Sequence, residues 1–235
     1  MATPHNIASK GEIAKYVLFT GDPKRATKLK EKIMPEARLV NDIRGICTYT
    51  GKVNGKDLTI MAHGMGCPSM GIYAHELFDY YGVEKIVRIG TIGALKKEIP
   101  LKSVIIAQQS YTMTNFDNFY LKNGAGFIEA DGELAEKAKI ICDKRNYKYF
   151  CGNVYCSDNF YTEENRIDLA IKNNLLGVEM ESVALYLMAK KFHKKALTVC
   201  IVSDNVVTKE SLSALEKEDM FDALAEVAVQ LLFEN

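Results

Sequence analysis

The sequence predicts an α/β fold in which one central mixed β-sheet is flanked by helices. Apolar runs rich in β-branched residues alternate with helical patterns along all 235 residues. Several of these runs are continuously apolar, which is typical of strands in a sheet that is covered on both faces. No repeat, low-complexity tract or linker interrupts the alternation, so we expect a single domain over residues 1–235.

Capping and turn signals predict the elements of the first half of the chain. Asp22 is in place as a helix N-cap and Pro23 occupies the first helical position, where the missing N–H costs nothing. Asn54-Gly55 predicts a tight hairpin turn between two strands. The predicted elements are strands at 16–20, 47–51, 57–61 and 85–89 and helices at 24–34 and 68–81, the second ending before Gly82.

Hydrophobic periodicity predicts the elements of the second half. The segment 196–202 is the most apolar strand candidate in the chain. A closing amphipathic helix follows, with an apolar face formed by Leu212, Leu215, Leu224, Val227 and Leu231. The other predicted elements are strands at 103–107 and 154–156 and helices at 133–144, 163–173 and 181–191.

Charge balance and cysteine spacing exclude several classes of protein. Lys plus Arg and Asp plus Glu number 30 each, so the basic excess expected of a nucleic-acid or membrane-surface binder is absent from the sequence. The six cysteines contain no Cys-x-x-Cys pair, which favours free thiols over a zinc site or a disulfide framework. The first residues lack the apolar core of a signal peptide, and no apolar stretch approaches the roughly 20 residues of a membrane span. We therefore expect a cytoplasmic protein.

Two strand ends carry arginine, and ligands of such sheets bind just beyond the carboxyl ends of strands. Gly21 and Arg25 lie between a strand and a helix N-terminus, where free N–H groups and the helix dipole attract an anion. Arg88 lies inside an apolar strand pattern, before a turn of small residues that contains Thr91. The alternatives are an ordinary strand-to-helix turn for the first segment and a buried salt bridge to a carboxylate for Arg88. A phosphate-sized ligand is the simpler explanation for both.

Two further strand ends carry carboxylates. Glu179 and Glu181 are two residues apart on an extended segment, so their side chains point the same way and could clasp a diol or perform acid–base chemistry. The alternative, that Glu181 merely begins the next helix, leaves Glu179 unexplained. Asp204 follows the most apolar strand, where partial burial disfavours the charged carboxylate and favours a proton donor near neutral pH. A turn or cap role is the alternative for Asp204.

Together these segments resemble the bacterial-type, hexameric purine nucleoside phosphorylases of the nucleoside phosphorylase family. The likeness runs in order along essentially the whole chain, and no single motif would be specific on its own. The segments that carry it are ATPH at 2–5, GDPKRA at 21–26, IRG at 43–45, HGMG at 63–66, RIGTIGA at 88–94, FY at 160–161, VEMES at 178–182 and VSD at 202–204.

The resemblance implies a nucleoside phosphorylase fold and the phosphorolysis of purine (deoxy)ribonucleosides to free base and (deoxy)ribose 1-phosphate. It implies no metal and no organic cofactor, because inorganic phosphate is the co-substrate. It also implies a homohexamer built from dimers that share their active sites.

The resemblance further implies a role for individual residues. The phosphate-binding residues would be Gly21, Arg25, Arg88 and Thr91, with Arg44 from the partner subunit. The ribose-binding residues would be Met65, Met180 and Glu181, with His5 from the partner subunit, and the base-binding residues would be Phe160, Val178, Glu179 and Ser203. Asp204 would protonate the leaving purine. Lys217 stands where the family usually has an arginine that closes on this acid, and we expect weaker closure because lysine lacks the planar fork.

Three alternative functions remain open at this point. A uridine phosphorylase usually lacks the acid at Asp204 and has a uracil-recognising insertion for which the segment 162–176 is too short. A methylthioadenosine-type nucleoside hydrolase uses water and has no need of Arg25, Arg44 and Arg88. A non-catalytic nucleoside- or phosphate-binding module would not require the acid.

Overall fold

The computed structural model describes residues 2–121, 126–162 and 165–234, and within these ranges ten strands form one mixed sheet with six α-helices around it. The α/β class with a central mixed sheet is therefore confirmed. The strands are β1 (Tyr16–Thr20), β2 (Arg38–Asn41), β3 (Thr48–Val53), β4 (Lys56–Ala62), β5 (Lys85–Ala94), β6 (Val104–Tyr111), β7 (Phe127–Glu129), β8 (Tyr149–Cys156), β9 (Leu175–Glu179) and β10 (Lys195–Asn205). The helices are α1 (Pro23–Ile33), α2 (Gly66–Asp79), α3 (Gly132–Lys144), α4 (Arg166–Asn173), α5 (Ser182–Lys191) and α6 (Ala214–Phe233).

The sheet is partly closed on itself. Its order is β10-β6-β8-β9-β5-β1-β4-β3-β2, with β7 paired to β6 and an additional pairing between β10 and β5. That additional pairing makes a ring of β5, β9, β8, β6 and β10, from which β1 to β4 extend as an open wing. Because β1 runs parallel to β4 and β5, and β5 runs parallel to β10, the carboxyl ends of these four strands lie together.

The local signals at the first helix and the first hairpin are confirmed. The Asp22 carboxylate accepts a hydrogen bond from the backbone N–H of Lys24 at 2.8 Å, and Pro23 is the first residue of α1. Asn54 and Gly55 have φ values of 51° and 78°, the left-handed backbone that a two-residue hairpin turn requires.

Tertiary pairing moves several boundaries away from the sequence predictions. The predicted turn after Ile89 is wrong, because β5 continues to Ala94 while it pairs with β10, where Thr91 lies opposite Ile201. The short strands β2 and β7 were not predicted, and α2 begins two residues before Pro68. The predicted start of the fourth helix at Glu163 lies outside the described residues.

The core places α5 against the sheet with most of its surface buried. Tyr186 is one of the largest fully buried side chains. Its hydroxyl donates to the carbonyl oxygen of Ala107 at 2.6 Å and accepts from the backbone N–H of Thr198 at 3.0 Å, so its polar atom is satisfied inside the core. These bonds tie α5 to β6 and β10, which both belong to the closed ring.

All six cysteines are free thiols, as the sequence predicts. The Sγ atoms of Cys67 and Cys156 approach to 3.4 Å in the buried region between α2 and β8. Among the described residues, no group of three or more His, Cys, Asp or Glu side chains could hold a metal ion. Within the same ranges, every helix is too short or too polar to traverse a bilayer.

Candidate active site

A cavity of about 570 Å³ opens at the carboxyl ends of the strands. Its walls come from the ends of β1, β5, β9 and β10 and from the segments that follow β4 and β8. The predicted site residues that line it are Gly21, Arg25, Met65, Arg88, Thr91, Phe160, Val178, Glu179, Met180, Glu181, Ser203 and Asp204. A single cavity therefore brings together both arginine segments and both carboxylate segments.

Sequence reasoning missed a group of polar residues in this cavity, namely Ser157, Asn159 and Arg166. Ser157 is buried and its backbone N–H donates to the carbonyl oxygen of Glu179 at 2.8 Å. The Arg166 guanidinium donates through Nη2 to the carbonyl oxygens of Asn159 and Phe160. Ser157 directly follows the strand predicted at 154–156, so the rule of polar residues at strand ends could have found it.

The turn at Gly21 is held against the end of β4. The His63 N–H donates to the Thr20 carbonyl at 2.9 Å, and the Gly64 N–H donates to the Gly21 carbonyl at 3.1 Å, so strand pairing continues into the turn. A Cβ atom at Gly21 would lie 3.2 Å from the Gly64 carbonyl oxygen, which is closer than nine in ten real Cβ contacts. The close approach of the two backbones therefore explains the glycine at position 21.

Arg88 is a buried guanidinium between two carboxylates. Its Nη1 lies 3.0 Å from an oxygen of Glu179, and its Nη2 is hydrogen-bonded to Glu181. Nη1 also approaches the Sγ atom of Cys200 at 3.5 Å. The buried salt bridge, which the sequence left as an alternative, is therefore present, and Arg88 lines the cavity as well. Since both glutamates contact Arg88, their side chains point to the same side as predicted.

The helix-capping role belongs to Glu179 and not to Glu181. The Glu179 carboxylate accepts hydrogen bonds from the backbone N–H groups of Glu181 and Ser182, both at 3.0 Å, and from the Ser182 hydroxyl. Glu181 is the N-cap residue of α5 but its side chain makes no capping bond. The interpretation that capping could explain only Glu181 is wrong, because the carboxylate of Glu179, two residues earlier in the chain, caps the N-terminus of α5.

Glu181 instead joins the first residue of α2 to the cavity. One carboxylate oxygen accepts from the Gly66 N–H at 2.7 Å, while the other contacts Arg88. Burial raises the pKa of Glu181, an effect that the positive charge of Arg88 opposes and the charge of Glu179 reinforces. The side chain is therefore fixed by two donors from different elements.

Asp204 lies on β10 at a register shift opposite β5. It is half-buried, and its Oδ1 accepts a hydrogen bond from the Ser203 hydroxyl at 2.8 Å. A Cβ atom on Gly93 would lie 2.8 Å from Asp204 Oδ2, so β5 passes close beside the carboxylate. The turn role falls to Asn205, whose side-chain oxygen accepts from the N–H groups of Val207 and Thr208.

The remaining predicted site residues, His5, Arg44 and Lys217, lie outside the lining of this chain's own cavity. His5 Nδ1 is 2.7 Å from a carboxylate oxygen of Glu76 on α2, and its ring contacts Tyr73 edge-on. Arg44 is exposed in the short 3-10 turn Ile43–Gly45, and its charge opposes the burial that raises the pKa of Tyr73. His5 and Arg44 thus lie on one outer face, beside α2. Lys217 lies in the first turn of α6.

The fold and this cavity define an α/β protein that holds arginines and carboxylates around one pocket at its strand ends, a typical place for a polar substrate and an anion. A family model described as the phosphorylase superfamily matches residues 15–234. The chain belongs to this superfamily, as the resemblance in the sequence predicted.

Relatives of nearly the same length are proteins called "Purine nucleoside phosphorylase DeoD-type". The protein from Mycoplasma genitalium is 41% identical, over 97% of this chain and 98% of its own length. The protein from Yersinia enterocolitica is 36% identical, over 98% of this chain and 96% of its own. The protein from Xenorhabdus nematophila is 37% identical, over 98% and 97%.

His63 lies directly behind the Gly21 turn. Its ring is fully buried, tilted against Phe19 at 5.4 Å between centroids, and neither ring nitrogen has a hydrogen-bond partner among the described residues. Burial, together with the positive charge of Arg88, holds the pKa of His63 well below 6.5. The imidazole is therefore neutral in the folded protein under conditions where an unfolded chain would protonate it.

We expect His63→Gln to reduce the sensitivity of the fold to acid. Below pH 6.5 the unfolded chain takes up a proton at His63 and the folded chain does not, so the wild type loses free energy of unfolding as the pH falls. The loss from this group reaches roughly 1.4 kcal/mol for each pH unit. Urea denaturation at about pH 7.5 and about pH 5 measures the difference in slope, with exposed His193→Gln as the control. Equal acid losses in wild type and His63→Gln would contradict the expectation.

Proposed function

We propose that this chain is a purine nucleoside phosphorylase. It cleaves purine ribonucleosides or deoxyribonucleosides with inorganic phosphate and releases the free base and the (deoxy)ribose 1-phosphate. The observation that carries the proposal is the single cavity in which Arg25, Arg88 and Thr91 stand beside Glu181 and Asp204. The full-length similarity to DeoD-type purine nucleoside phosphorylases supports it.

Phosphate binds on the arginine side of the cavity. Gly21, Arg25, Arg88 and Thr91 line this side. We assign the phosphate contacts to the Gly21 backbone, the two guanidinium groups and the Thr91 hydroxyl. Arg88 already faces the carboxylates of Glu179 and Glu181, so it brings no net excess of positive charge to the anion. Further cations are needed, and we assign them to Arg25 and to Arg44 of the partner subunit.

The nucleoside binds on the carboxylate side. Glu181 accepts hydrogen bonds from the ribose hydroxyls, and Met65 and Met180 cover the sugar with polarisable apolar surface. The base lies against Phe160 and Val178, with Glu179 and Ser203 at its edge. Met65 is 82% exposed and Phe160 is 68% exposed, so substrate and a partner subunit have surface to cover.

The reaction follows from the charges that develop as the bond between C1′ and the base breaks. The bonding electron pair leaves with the purine, the sugar becomes cationic, and the bound phosphate stabilises that cation while its oxygen forms the new bond to C1′. Asp204 acts as the general acid and gives a proton to a nitrogen of the five-membered ring, so that the base leaves without net charge. We propose that Lys217 approaches and assists this acid. The chemistry uses phosphate as co-substrate and calls on no metal or organic cofactor.

We expect inosine or adenosine to be cleaved only when phosphate is supplied. Phosphate is the nucleophile in the proposed reaction, so its removal stops turnover, whereas a hydrolase would continue with water. Base release is followed by chromatography with and without phosphate, and uridine is tested in parallel. Cleavage of uridine at a comparable rate would identify a uridine phosphorylase, purine release that ignores phosphate would identify a hydrolase, and no cleavage would identify a binding module.

Asp204→Asn should lose about 10²- to 10⁴-fold in kcat on ordinary purine nucleosides, because an amide cannot donate the proton. Phosphate binding should be retained. A nucleoside of an N7-methylated purine carries its positive charge already and should be cleaved at close to the wild-type rate. Asp57→Asn, at an exposed position on β4, is the control. A near-normal rate on inosine would remove Asp204 from the mechanism.

We also infer a homo-oligomer, a hexamer built from dimers that share active sites. His5 and Arg44 lie outside the lining of their own cavity, and both interact with Tyr73 of α2, as residues donated together to a second subunit would. Met65 and Phe160 line the cavity and expose apolar surface, and the exposed ring of Tyr161 contacts Phe160 edge-on. The location in the cytoplasm stays a prediction from the sequence.

Coexpression of Arg44→Ala chains with Asp204→Ala chains tests the sharing. A mixed dimer would combine intact Asp204 of one chain with intact Arg44 of the other in one of its two sites. Random pairing should therefore restore about a quarter of the sites. Activity is compared with that of each variant expressed alone, and size-exclusion chromatography gives the oligomeric state. A fully active monomer at all dilutions would refute the sharing.

A further inference from the structure

Phe221 on α6 lies directly behind an arginine of the cavity. The guanidinium carbon of Arg25 is 4.4 Å from the centroid of the Phe221 ring, within the range of a cation–π contact. Phe221 is 3% exposed and belongs to the main apolar core. Arg25 lines the cavity, whereas the lining among the described residues does not include Phe221. The ring therefore reaches the cavity only through the arginine.

The contact has the right form to orient an anion-binding arginine. Arg25 is the third residue of α1, whose start is fixed by the Asp22 cap and Pro23, so its backbone is held, and the ring of Phe221 lies against its guanidinium group. An aromatic ring that packs against the flat face of a guanidinium group makes no hydrogen bond with the N–H groups at the edge of that group. Those N–H groups are the ones that form paired hydrogen bonds to a phosphate.

We propose that Phe221 is a positioning residue of the phosphate site, which holds the guanidinium plane of Arg25 in the orientation that binds phosphate. The inference rests on the proposed function and deepens it, because it links the closing helix to the phosphate side of the cavity. Lys217 precedes Phe221 by one helical turn, so both residues lie on the same face of α6. One helix face thereby carries the support of the phosphate-binding arginine and the lysine proposed to assist Asp204.

Phe221→Leu removes the ring and keeps an apolar side chain. We expect the KM for phosphate to rise roughly three- to tenfold, the range of a partly buried cation–π contact. The KM for the nucleoside and the kcat at saturating phosphate should change less than about twofold, since the nucleoside-binding residues and Asp204 are unchanged. Phe233→Leu, on the same helix but against Tyr16 and Lys56, is the matched control and should leave both KM values unchanged.

A double-mutant cycle separates positioning from a general role in the core. If Phe221 acts through Arg25, then Phe221→Leu should raise the phosphate KM in the wild type and add nothing in an Arg25→Ala background. Equal effects in the two backgrounds would overturn the proposal, as would a parallel rise of the nucleoside KM. Phe221→Met serves in the same cycle if the leucine variant does not fold.

A binding measurement keeps this inference distinct from the proposed function. Inorganic phosphate should raise the Tm of the wild type in a concentration-dependent way, and the derived Kd should rise roughly three- to tenfold in Phe221→Leu. If the wild type cleaves no nucleoside but this shift in Kd is found, the proposed function fails and the positioning role stands. If nucleoside cleavage depends on phosphate but the Kd is the same in both proteins, the positioning role fails and the proposed function stands.

Discussion

The arrangement of the cavity depends on the buried guanidinium of Arg88. A charge buried in this way is tolerated only with partners, and the structure supplies two, Glu179 and Glu181. Each partner is in turn tied to another element, since Glu179 caps α5 and Glu181 accepts from Gly66 at the start of α2. One ion cluster therefore sets the mutual positions of β5, β9, α2 and α5 around the cavity.

The cluster of Arg88, Glu179 and Glu181 carries no excess positive charge, so an anion in the cavity needs cations from elsewhere. With two carboxylates against one guanidinium, the interior of the cavity is not cationic, and Arg25 stands at its edge on the first turn of α1. The fold supports this arginine from behind with an aromatic ring of α6. It also leaves Arg44 on an outer face. In the proposed shared site, Arg44 of the partner subunit would add positive charge that the interior of the cavity lacks.

The site residues that could be predicted from the sequence are mostly the polar residues at the ends of predicted strands. Gly21, Arg88, Glu181 and Asp204 were recognised because each is a polar or flexible residue directly after or within an apolar strand, and all four line one cavity. Ser157 follows the same rule and was overlooked. The role of Glu179 was not readable, because a helix cap supplied from two residues upstream looks in sequence like a second catalytic carboxylate. The contact of Phe221 with Arg25 could not be predicted either, since a phenylalanine on an amphipathic helix is typical of a core residue.

The amino-acid sequence by itself determined the α/β class, the cap at Asp22, the hairpin at Asn54 and the chemistry available at each strand end. These features depend on a few neighbouring residues, on periodicity and on backbone preferences that act locally. Only the tertiary structure decided that β5 runs on to Ala94, that β10 closes a ring with it, and that both Glu179 and Glu181 contact Arg88. Those outcomes are decided by strand pairing and charge burial between segments far apart in the chain, and such contacts have no periodicity in the sequence from which to be read.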